Sequence, residues 1–533
     1  MGRIKQFVFG AGSVCAATLL TLSNTACVKV GPDFVKPASQ VAPNWLESAD
    51  ARLRVGASPH RAWWRVFNDP VLDGLIDRAY RENLTLRIAG VRVFEARAEL
   101  GIAVGQFFPQ TQQASGLLQQ SRASDRSQTA LLNSGSLVVN QDQLGFLASW
   151  ELDFWGKFRR NIESARAALN ASVADYDNAL VSLTADVAAT YIAIRTTEKR
   201  LEIAETNVKT GQENLRLAEA RFTAGTSTEL DVEQARTSLK DTESLVPALR
   251  TQLKQGKNAL CTLLGILPGD LAQVANGPSI IPSPPLTVAV GIPQELLMRR
   301  PDVRSALFQA AAQSARIGVA KADLFPALSL YGEFGFLSTD VSDFSLKDIF
   351  RWGSRYYTVG PQAQWNLFNY GRITNSVRVQ DARFEEALIT YQNTVLKAQQ
   401  EVEDALVAFL RAGEQARYLA ESLASAERSL DIAQAQYREG VRDFTAVVIA
   451  QQALLREQDN LAVTLGAHSA DLVTVYRALG GGWEIREGRD FIPADVEEAM
   501  AKRTDWGGLL KFPPSALMTE EQTNERGAIP SAW

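Results

Sequence analysis

The sequence predicts a mixed fold that combines amphipathic strands suited to a membrane β-barrel with very long α-helices of the coiled-coil type. Three observations predict it: an internal repeat at about 215 residues, two uninterrupted heptad patterns, and short stretches in which apolar and polar residues alternate. The chain has 533 residues, a length that by itself would suggest about three or four ordinary domains.

The composition excludes several classes of protein. A net charge of −5 gives no basic excess of the kind that a nucleic-acid-binding face needs. Two His and three Cys supply neither a disulfide framework nor a metal site, since His60 and His468 are far apart in sequence. No nucleophile, base and acid stand in a catalytic pattern. We therefore predict a protein that is not an enzyme and that uses no cofactor or metal.

The first residues have the pattern of a secretory signal: two basic residues, an apolar run too short to span a bilayer, and small residues before a cysteine. Cys27 follows Ala26 as in a bacterial lipoprotein, although Asn24 occupies the place where Leu is usual. We predict a signal peptide over 1–26 and a lipidated extended segment over 27–67. An ordinary signal peptide with a chance cysteine is the alternative.

The rest of the chain is duplicated. We predict two structural repeats, over 68–280 and 281–483, because matching motifs recur at a nearly constant offset. This period is too long for a solenoid unit, so it indicates a domain-sized half that was copied and fused. The clearest matches pair Phe108 and Pro109 with Phe325 and Pro326, Trp150 with Trp365, and Gly225 with Gly440.

Each repeat contains one very long helix. Apolar or small residues recur at steps of three and four, and no proline interrupts 156–224 or 371–439. A sustained heptad pattern imposes a left-handed supercoil, and at about 1.5 Å per residue each helix would be roughly 100 Å long. Shorter helices are predicted over about 69–105, 229–264, 294–322 and 443–479.

Four stretches with alternating polarity are predicted to be strands, over about 111–121, 140–153, 327–338 and 355–368. Alternation indicates a strand with one apolar face and one polar face that contacts water. Such strands occur in membrane barrels and in half-buried sheets on a soluble core. Four strands cannot close a barrel, and an open edge cannot lie in lipid. Because about eight strands is the minimum, two, three or four copies would have to pool their strands.

Three motifs stand out beside the repeat: Cys-Val-Lys-Val-Gly-Pro-Asp-Phe at 27–34, Arg-Pro-Asp-Val-Arg at 300–304 and Tyr-Arg-Ala-Leu-Gly-Gly-Gly-Trp at 476–483. Together with the repeat they resemble the TolC-like outer-membrane factors, and specifically the efflux lipoproteins of the OprM/NodT type. The resemblance implies a homotrimer with a 12-stranded barrel in the outer membrane and a 12-helix tunnel in the periplasm. Residues 484–533 would lie around the equator of the helical part and be partly disordered.

The resemblance also implies a function and partners. The family forms the passive exit duct of a tripartite pump, so we expect export of small molecules such as drugs. Its partners would be outer-membrane lipid, a periplasmic adaptor and an inner-membrane transporter, for which the resemblance favours the RND type. Two rival functions remain open: the exit duct of a type I protein-secretion system, and a periplasmic coiled-coil scaffold without a pore.

The turns after the two long helices are the candidate site. A Gly that follows a helix is first of all a C-terminal cap. The resemblance adds that both tips contact the adaptor and that Asp231, Tyr437 and Arg442 latch the periplasmic mouth. Tyr437 also completes the apolar stripe, so packing alone is the alternative. The tip residues are Gly225, Thr226, Ser227, Gly440, Val441 and Arg442.

The pore constriction departs from the family pattern. Family members have carboxylates at two positions that are Ala446 and Ile449 in this chain. We predict a constriction at Asp443, Thr445 and Ile449 instead, acidic through Asp443 or apolar through the other two.

Overall fold

The computed structural model describes residues 29–38, 41–55, 61–124, 126, 138–269, 280–291, 293–340 and 346–511. The predicted signal peptide, Cys27 and the tail over 512–533 lie outside these residues. The described chain forms two compact units, each of which takes segments from both sequence repeats. Of the described residues, those within Met1–Pro37, Glu95–Asn170 and Leu307–Ile389 form the strand unit, and those within Ala38–Phe94, Ala171–Ala306 and Thr390–Trp533 form the helical unit.

Helices dominate the described chain. In chain order they are α1 (Pro70–Glu82), α2 (Leu84–Gly105), α3 (Lys157–Thr223), α4 (Glu229–Leu263), α5 (Pro293–Arg299), α6 (Pro301–Ala322), α7 (Arg372–Arg438), α8 (Phe444–Ala478) and α9 (Ala494–Arg503). The strands are β1 (Leu53–Val55), β2 (Thr111–Arg122), β3 (Val138–Leu152), β4 (Val288–Val290), β5 (Ala327–Thr339) and β6 (Arg355–Gln364). Short 3₁₀ turns cover Trp63–Phe67, Leu346–Asp348, Trp352–Ser354 and Trp483–Arg486.

Two of the shorter helices predicted from the sequence are each broken in two. The stretch over 69–105 breaks at Asn83, which has extended backbone angles. Its side-chain oxygen accepts a hydrogen bond from the Leu86 amide at 2.8 Å, and its side-chain nitrogen donates to the Leu263 carbonyl at 2.9 Å. The stretch over 294–322 breaks before Pro301, because a proline disfavours helical angles at the residue that precedes it. The apolar pattern continues across both breaks and does not reveal them.

The strand unit contains an antiparallel sheet in the order β2-β3-β5-β6. Because β3 pairs with β5, the hairpins of the two sequence repeats form one continuous sheet, with Gly145 opposite Gly335. Within the described residues, β2 and β6 each pair along one side only. One face of the sheet is apolar and exposed, and its largest exposed side chains are Leu118, Leu144, Phe146, Leu330, Phe334, Tyr357 and Val359.

The two repeats share a tryptophan contact that fastens the end of a helix to a strand. The Trp150 indole N–H donates to the Phe107 carbonyl at 3.1 Å. At the equivalent place in the second repeat, the Trp365 indole N–H donates to the Leu324 carbonyl at 3.0 Å. Strand β6 ends at Gln364, so it is shorter than the strand predicted over 355–368.

A buried arginine holds the segment at the start of the described chain. Arg160 donates from Nε to the Val30 carbonyl at 3.1 Å and from Nη2 to the Gly31 carbonyl at 3.0 Å. Gly31 has a φ of +94° and lies against Gly318, where a Cβ atom on either residue would collide with backbone. The glycine of this motif is therefore required by close packing.

In the helical unit, a second buried arginine explains the Arg-Pro-Asp motif. The Arg300 guanidinium donates to the Ala478 carbonyl at 2.5 Å, to Asp302 at 2.8 Å and to Glu401 at 2.7 Å. It thereby ties the start of α6 to α7 and to the end of α8. Burial opposes its charge, but the carboxylates outweigh this and raise the pKa of Arg300, so it stays charged.

The C-terminal segment, residues 483–511, is anchored in the helical unit. Arg486 donates from two nitrogens to the buried Asp177 carboxylate on α3, at 2.5 and 3.0 Å. The Arg304 guanidinium is 3.8 Å from the same carboxylate. The Phe491 backbone lies so close to Gly90 of α2 that a Cβ there would collide with it. Equatorial placement and disorder of the tail stay predictions.

Among the described residues, α3 alone has a window long and apolar enough to cross a membrane, judged by length and composition. Because 61% of that window is buried inside the protein, a core helix accounts for it equally well.

Candidate functional site

The two helix turns singled out in the sequence have the same backbone structure. Gly225 and Gly440 have φ angles of +72° and +74°, in the left-handed region that glycine adopts without strain. The Thr226 amide donates to the Arg221 carbonyl, and the Val441 amide donates to the Gln436 carbonyl, both at 2.9 Å. These bonds span six residues and end each helix in a Schellman motif, so both glycines are C-terminal caps.

Helix α4 begins with a capping box, in which the side chain of Asp231 is bonded to the start of its own helix. The Asp231 carboxylate accepts the Thr228 amide at 3.1 Å, and the Thr228 hydroxyl accepts the Asp231 amide at 3.4 Å. In the second repeat, the position equivalent to Thr228 is Asp443, whose side chain makes no capping bond to α8. The first tip is therefore stabilised by local hydrogen bonds that the second lacks.

Tyr437 is packed into the tip. Its side chain is 3% exposed, and its ring lies edge-on to the Phe444 ring with the centroids 5.1 Å apart. Within the described part of the chain its buried hydroxyl makes no hydrogen bond, and the Ser227 hydroxyl donates to the Ala218 carbonyl at 3.5 Å. Burial raises the pKa of Tyr437, and the nearby Asp231 carboxylate adds to the rise. The hydroxyl is therefore protonated at neutral pH and available as a donor.

Arg221 fastens the first hairpin to the second, a role that the sequence did not reveal. Its Nη1 donates to the carbonyls of Tyr437 and Arg438 at 2.8 and 2.9 Å. Its guanidinium also lies 4.8 Å from the centre of the Tyr437 ring. Carbonyls in the last turn of a helix lack partners within that helix, and a positive charge there interacts favourably with the helix dipole.

Arg221 is the last of four polar residues on α3 that are spaced seven apart. Each of the four forms hydrogen bonds to α7 or α8. Polar contacts between packed helices fix their register, because a shift would leave the groups unpaired. The other three are Arg200, whose Nε donates to Asp459 at 2.7 Å, and Asn207 and Asn214, which donate to Gln458 and Gln451 at 2.7 Å.

The structure separates the three predicted constriction residues. Thr445 is half-buried and its hydroxyl donates to the Gln234 side chain of α4 at 3.3 Å, so it faces the neighbouring hairpin. Ile449 is 63% exposed, and Asp443 is exposed as well. Val441 and Arg442 at the second turn are also exposed. In the single chain, the side chains of Val441, Arg442, Asp443 and Ile449 are therefore accessible to solvent or to another protein.

Other chemistry-bearing groups are sparse. Within the described ranges, no three His, Cys, Asp or Glu side chains are grouped as a metal site would need. Cys261 is a free, buried thiol on α4, as expected for a small core residue.

Comparison with known proteins identifies one family and several similar proteins whose descriptions agree with it. Residues 75–266 and 292–481 match the family described as "Outer membrane efflux protein". The chain is 32% identical over 470 residues to the pyoverdine export outer membrane protein OpmQ of Pseudomonas putida, covering 87% of this chain and 96% of that protein. It is 32% identical over 464 residues to the toluene efflux pump outer membrane protein TtgI of Pseudomonas putida, covering 86% and 96%.

A solved structure agrees. The outer-membrane channel OprN is 32% identical to this chain and superposes with a TM-score of 0.78, covering 86% of this chain and 100% of that one. The resemblance drawn from the sequence motifs is thereby confirmed.

Proposed function

This chain belongs to the family of outer membrane efflux proteins, and we propose that three copies of it assemble into the exit duct of a tripartite pump. The predicted outer-membrane location and efflux role are confirmed by the family and by relatives that align over almost their whole length. The trimer, the partners, the cargo and the site residues are the parts proposed.

The observation that carries the proposal is the four-stranded sheet, which has an exposed apolar face and, among the described residues, two unpaired edges. Leu118, Phe146, Phe334 and Val359 on that face are exposed, as lipid contact requires. Unpaired strand edges cannot lie in lipid, because their N–H and C=O groups would have no partner. Neighbouring copies must therefore pair β2 with β6. Three copies give a barrel of 12 strands, and we propose that α3, α4, α7 and α8 of each copy build a helical tunnel.

The partners follow from the exposed tips. We propose that an adaptor contacts the two turns at Gly225–Ser227 and Gly440–Arg442, and that an inner-membrane transporter, of the RND type, supplies the energy. Small molecules such as drugs or toxic compounds are the proposed cargo, and the similar proteins are named for pyoverdine export and toluene efflux. A lipid at Cys27 would add attachment to the outer membrane.

Channel formation tests the proposal directly. We expect the protein, extracted from outer membranes, to run as a trimer and to give discrete conductance steps in planar bilayers. A trimer without conductance would favour the scaffold function. A soluble monomer would refute the duct altogether. Loss of drug resistance on deletion, without loss of any secreted protein, would separate efflux from type I secretion.

The periplasmic latch is a second proposal. In the single chain, Asp231 bonds its own helix and the Tyr437 hydroxyl is unpaired. We propose that the Tyr437 hydroxyl donates to Asp231 and that Arg442 makes further hydrogen bonds when the mouth closes, with Asp443, Thr445 and Ile449 at the constriction.

Removing both latch donors should open the mouth. For Tyr437→Phe combined with Arg442→Ala, we expect higher single-channel conductance, because two sets of hydrogen bonds that hold the tips together are lost. The measurement is conductance in planar bilayers, with Arg438→Ala as the matched control at the same tip. Unchanged conductance in the double variant would leave Tyr437 with a packing role only.

A further inference from the structure

The polar face of the strand-unit sheet carries one carboxylate near its middle, Glu333. Alternate residues of a strand share a face, so Tyr331 and Glu333 of β5 point to the same side. Glu151 also lies on this face by register, but at the end of β3 and 3.8 Å from Lys157. The basic residues of the four strands, Arg122 and Arg355, stand at strand ends and belong by register to the opposite face.

Three side chains hold the Glu333 carboxylate in place. The Tyr331 hydroxyl donates to one carboxylate oxygen at 2.7 Å, and the Tyr356 hydroxyl donates to the other at 2.8 Å. Gln143 in turn donates from Nε2 to the Tyr356 oxygen at 2.7 Å. An ionised carboxylate is an acceptor only, so two hydroxyl donors suit the charged form and fix its position.

Two facing glycines make room for this arrangement. Gly145 and Gly335 are opposite each other in the ladder, and the Tyr356 ring lies over them. A Cβ at Gly335 would come within 2.7 Å of the Tyr356 ring, and a Cβ at Gly145 within 2.8 Å of its hydroxyl. With any other residue at these two places, Tyr356 would have to move away from Glu333. The network is therefore built into three neighbouring strands.

No basic side chain of the described residues pairs with Glu333, since its two hydrogen-bond donors are neutral hydroxyls. A fixed negative charge without a protein counter-charge attracts mobile cations, and rings of acidic side chains make pores selective for them. We propose that Glu333, repeated in each copy around the barrel, makes the lumen prefer cations over anions, with Tyr331 and Tyr356 as positioning residues. This inference rests on the proposed trimeric duct.

Reversal potentials under a KCl gradient test the proposal. We expect the unmodified channel to prefer K⁺, and Glu333→Gln to move the reversal potential towards zero with little change in conductance at high salt. Tyr331→Phe combined with Tyr356→Phe keeps the carboxylate but frees it, so we expect a smaller shift. The preference of the unmodified channel should weaken as salt rises, because mobile ions screen a charge that faces water.

Matched variants keep the outcomes distinct. Asp142→Asn removes a carboxylate from the opposite face of the same sheet and should leave the ion preference unchanged. Asp443→Asn tests the helical tip as the source of the preference. Full cation preference in Glu333→Gln, or its loss in Asp443→Asn alone, would overturn the role of Glu333. If Glu333→Gln fails to assemble, the double Tyr variant decides. If the unmodified protein forms no channel, the proposed function fails first.

Discussion

Replacing Arg486 by Met is expected to lower the free energy of unfolding of the helical unit by about 3–5 kcal/mol. Arg486 is bonded through two nitrogens to Asp177, which is fully buried on α3. Removing one partner of a buried ion pair leaves the other charge out of water without compensation. The measurement is guanidinium-induced loss of helical circular dichroism in detergent.

A double variant isolates the cause. Asp177→Leu combined with Arg486→Met replaces the pair by apolar side chains, and we expect its stability to return close to that of the unmodified protein. Arg489→Met changes an exposed arginine of the same C-terminal segment and should have little effect. A loss below about 1 kcal/mol in Arg486→Met would mean that Arg304, 3.8 Å from Asp177, takes over as partner.

Replacing Arg221 by Met should loosen the hairpin tips without unfolding the long helices. The change removes two hydrogen bonds to α7 carbonyls and a cation–π contact with Tyr437. A hydrogen bond that involves a charged group contributes about 1.5–3 kcal/mol, so a loss of about 2 kcal/mol would speed amide exchange roughly 30-fold. Hydrogen exchange at the two turns is the measurement.

The controls for Arg221 separate charge from geometry. Arg216→Met removes an exposed arginine of the same helix and should leave exchange at the tips unchanged. Arg221→Lys keeps the charge but loses the planar fork, so we expect an intermediate rate. If exchange at 437–442 is as slow in Arg221→Met as in the unmodified protein, the packing of Tyr437 against Phe444 alone holds the tip.

The sequence predicts the architecture where a local pattern persists. The long helices α3 and α7 follow from heptad patterns without proline, and the strands from alternation of polar and apolar residues. It does not predict the break at Asn83, because the apolar pattern continues across it. Nor does it predict the pairing of Asp177 with Arg486, whose partners are 309 positions apart and belong to no shared pattern.

The candidate site was predictable in its backbone and not in its contacts. Gly225 and Gly440 end long apolar patterns, and a glycine there indicates a cap. One feature of the sequence points to the role of Arg221: it is spaced at multiples of seven residues from Asn214, Asn207 and Arg200. That feature is ambiguous in the sequence, because polar residues at heptad spacing fit a solvent-exposed helix face as well as a packed one. Their partners are 216 to 259 positions away.

The paired bonds of Trp150 and Trp365 have an evolutionary consequence. Each half carries its own fastening between helix and strand, so an ancestor with one half could have built a ring from identical pieces. In such a ring every substitution would recur at every position. Fusion of two halves lifted that restriction: Tyr437 is 3% exposed whereas its counterpart Phe222 is 47% exposed, and Asp231 stands opposite Ala446 in the repeat. In the proposed ring, alternate segments can therefore differ in sequence and in packing.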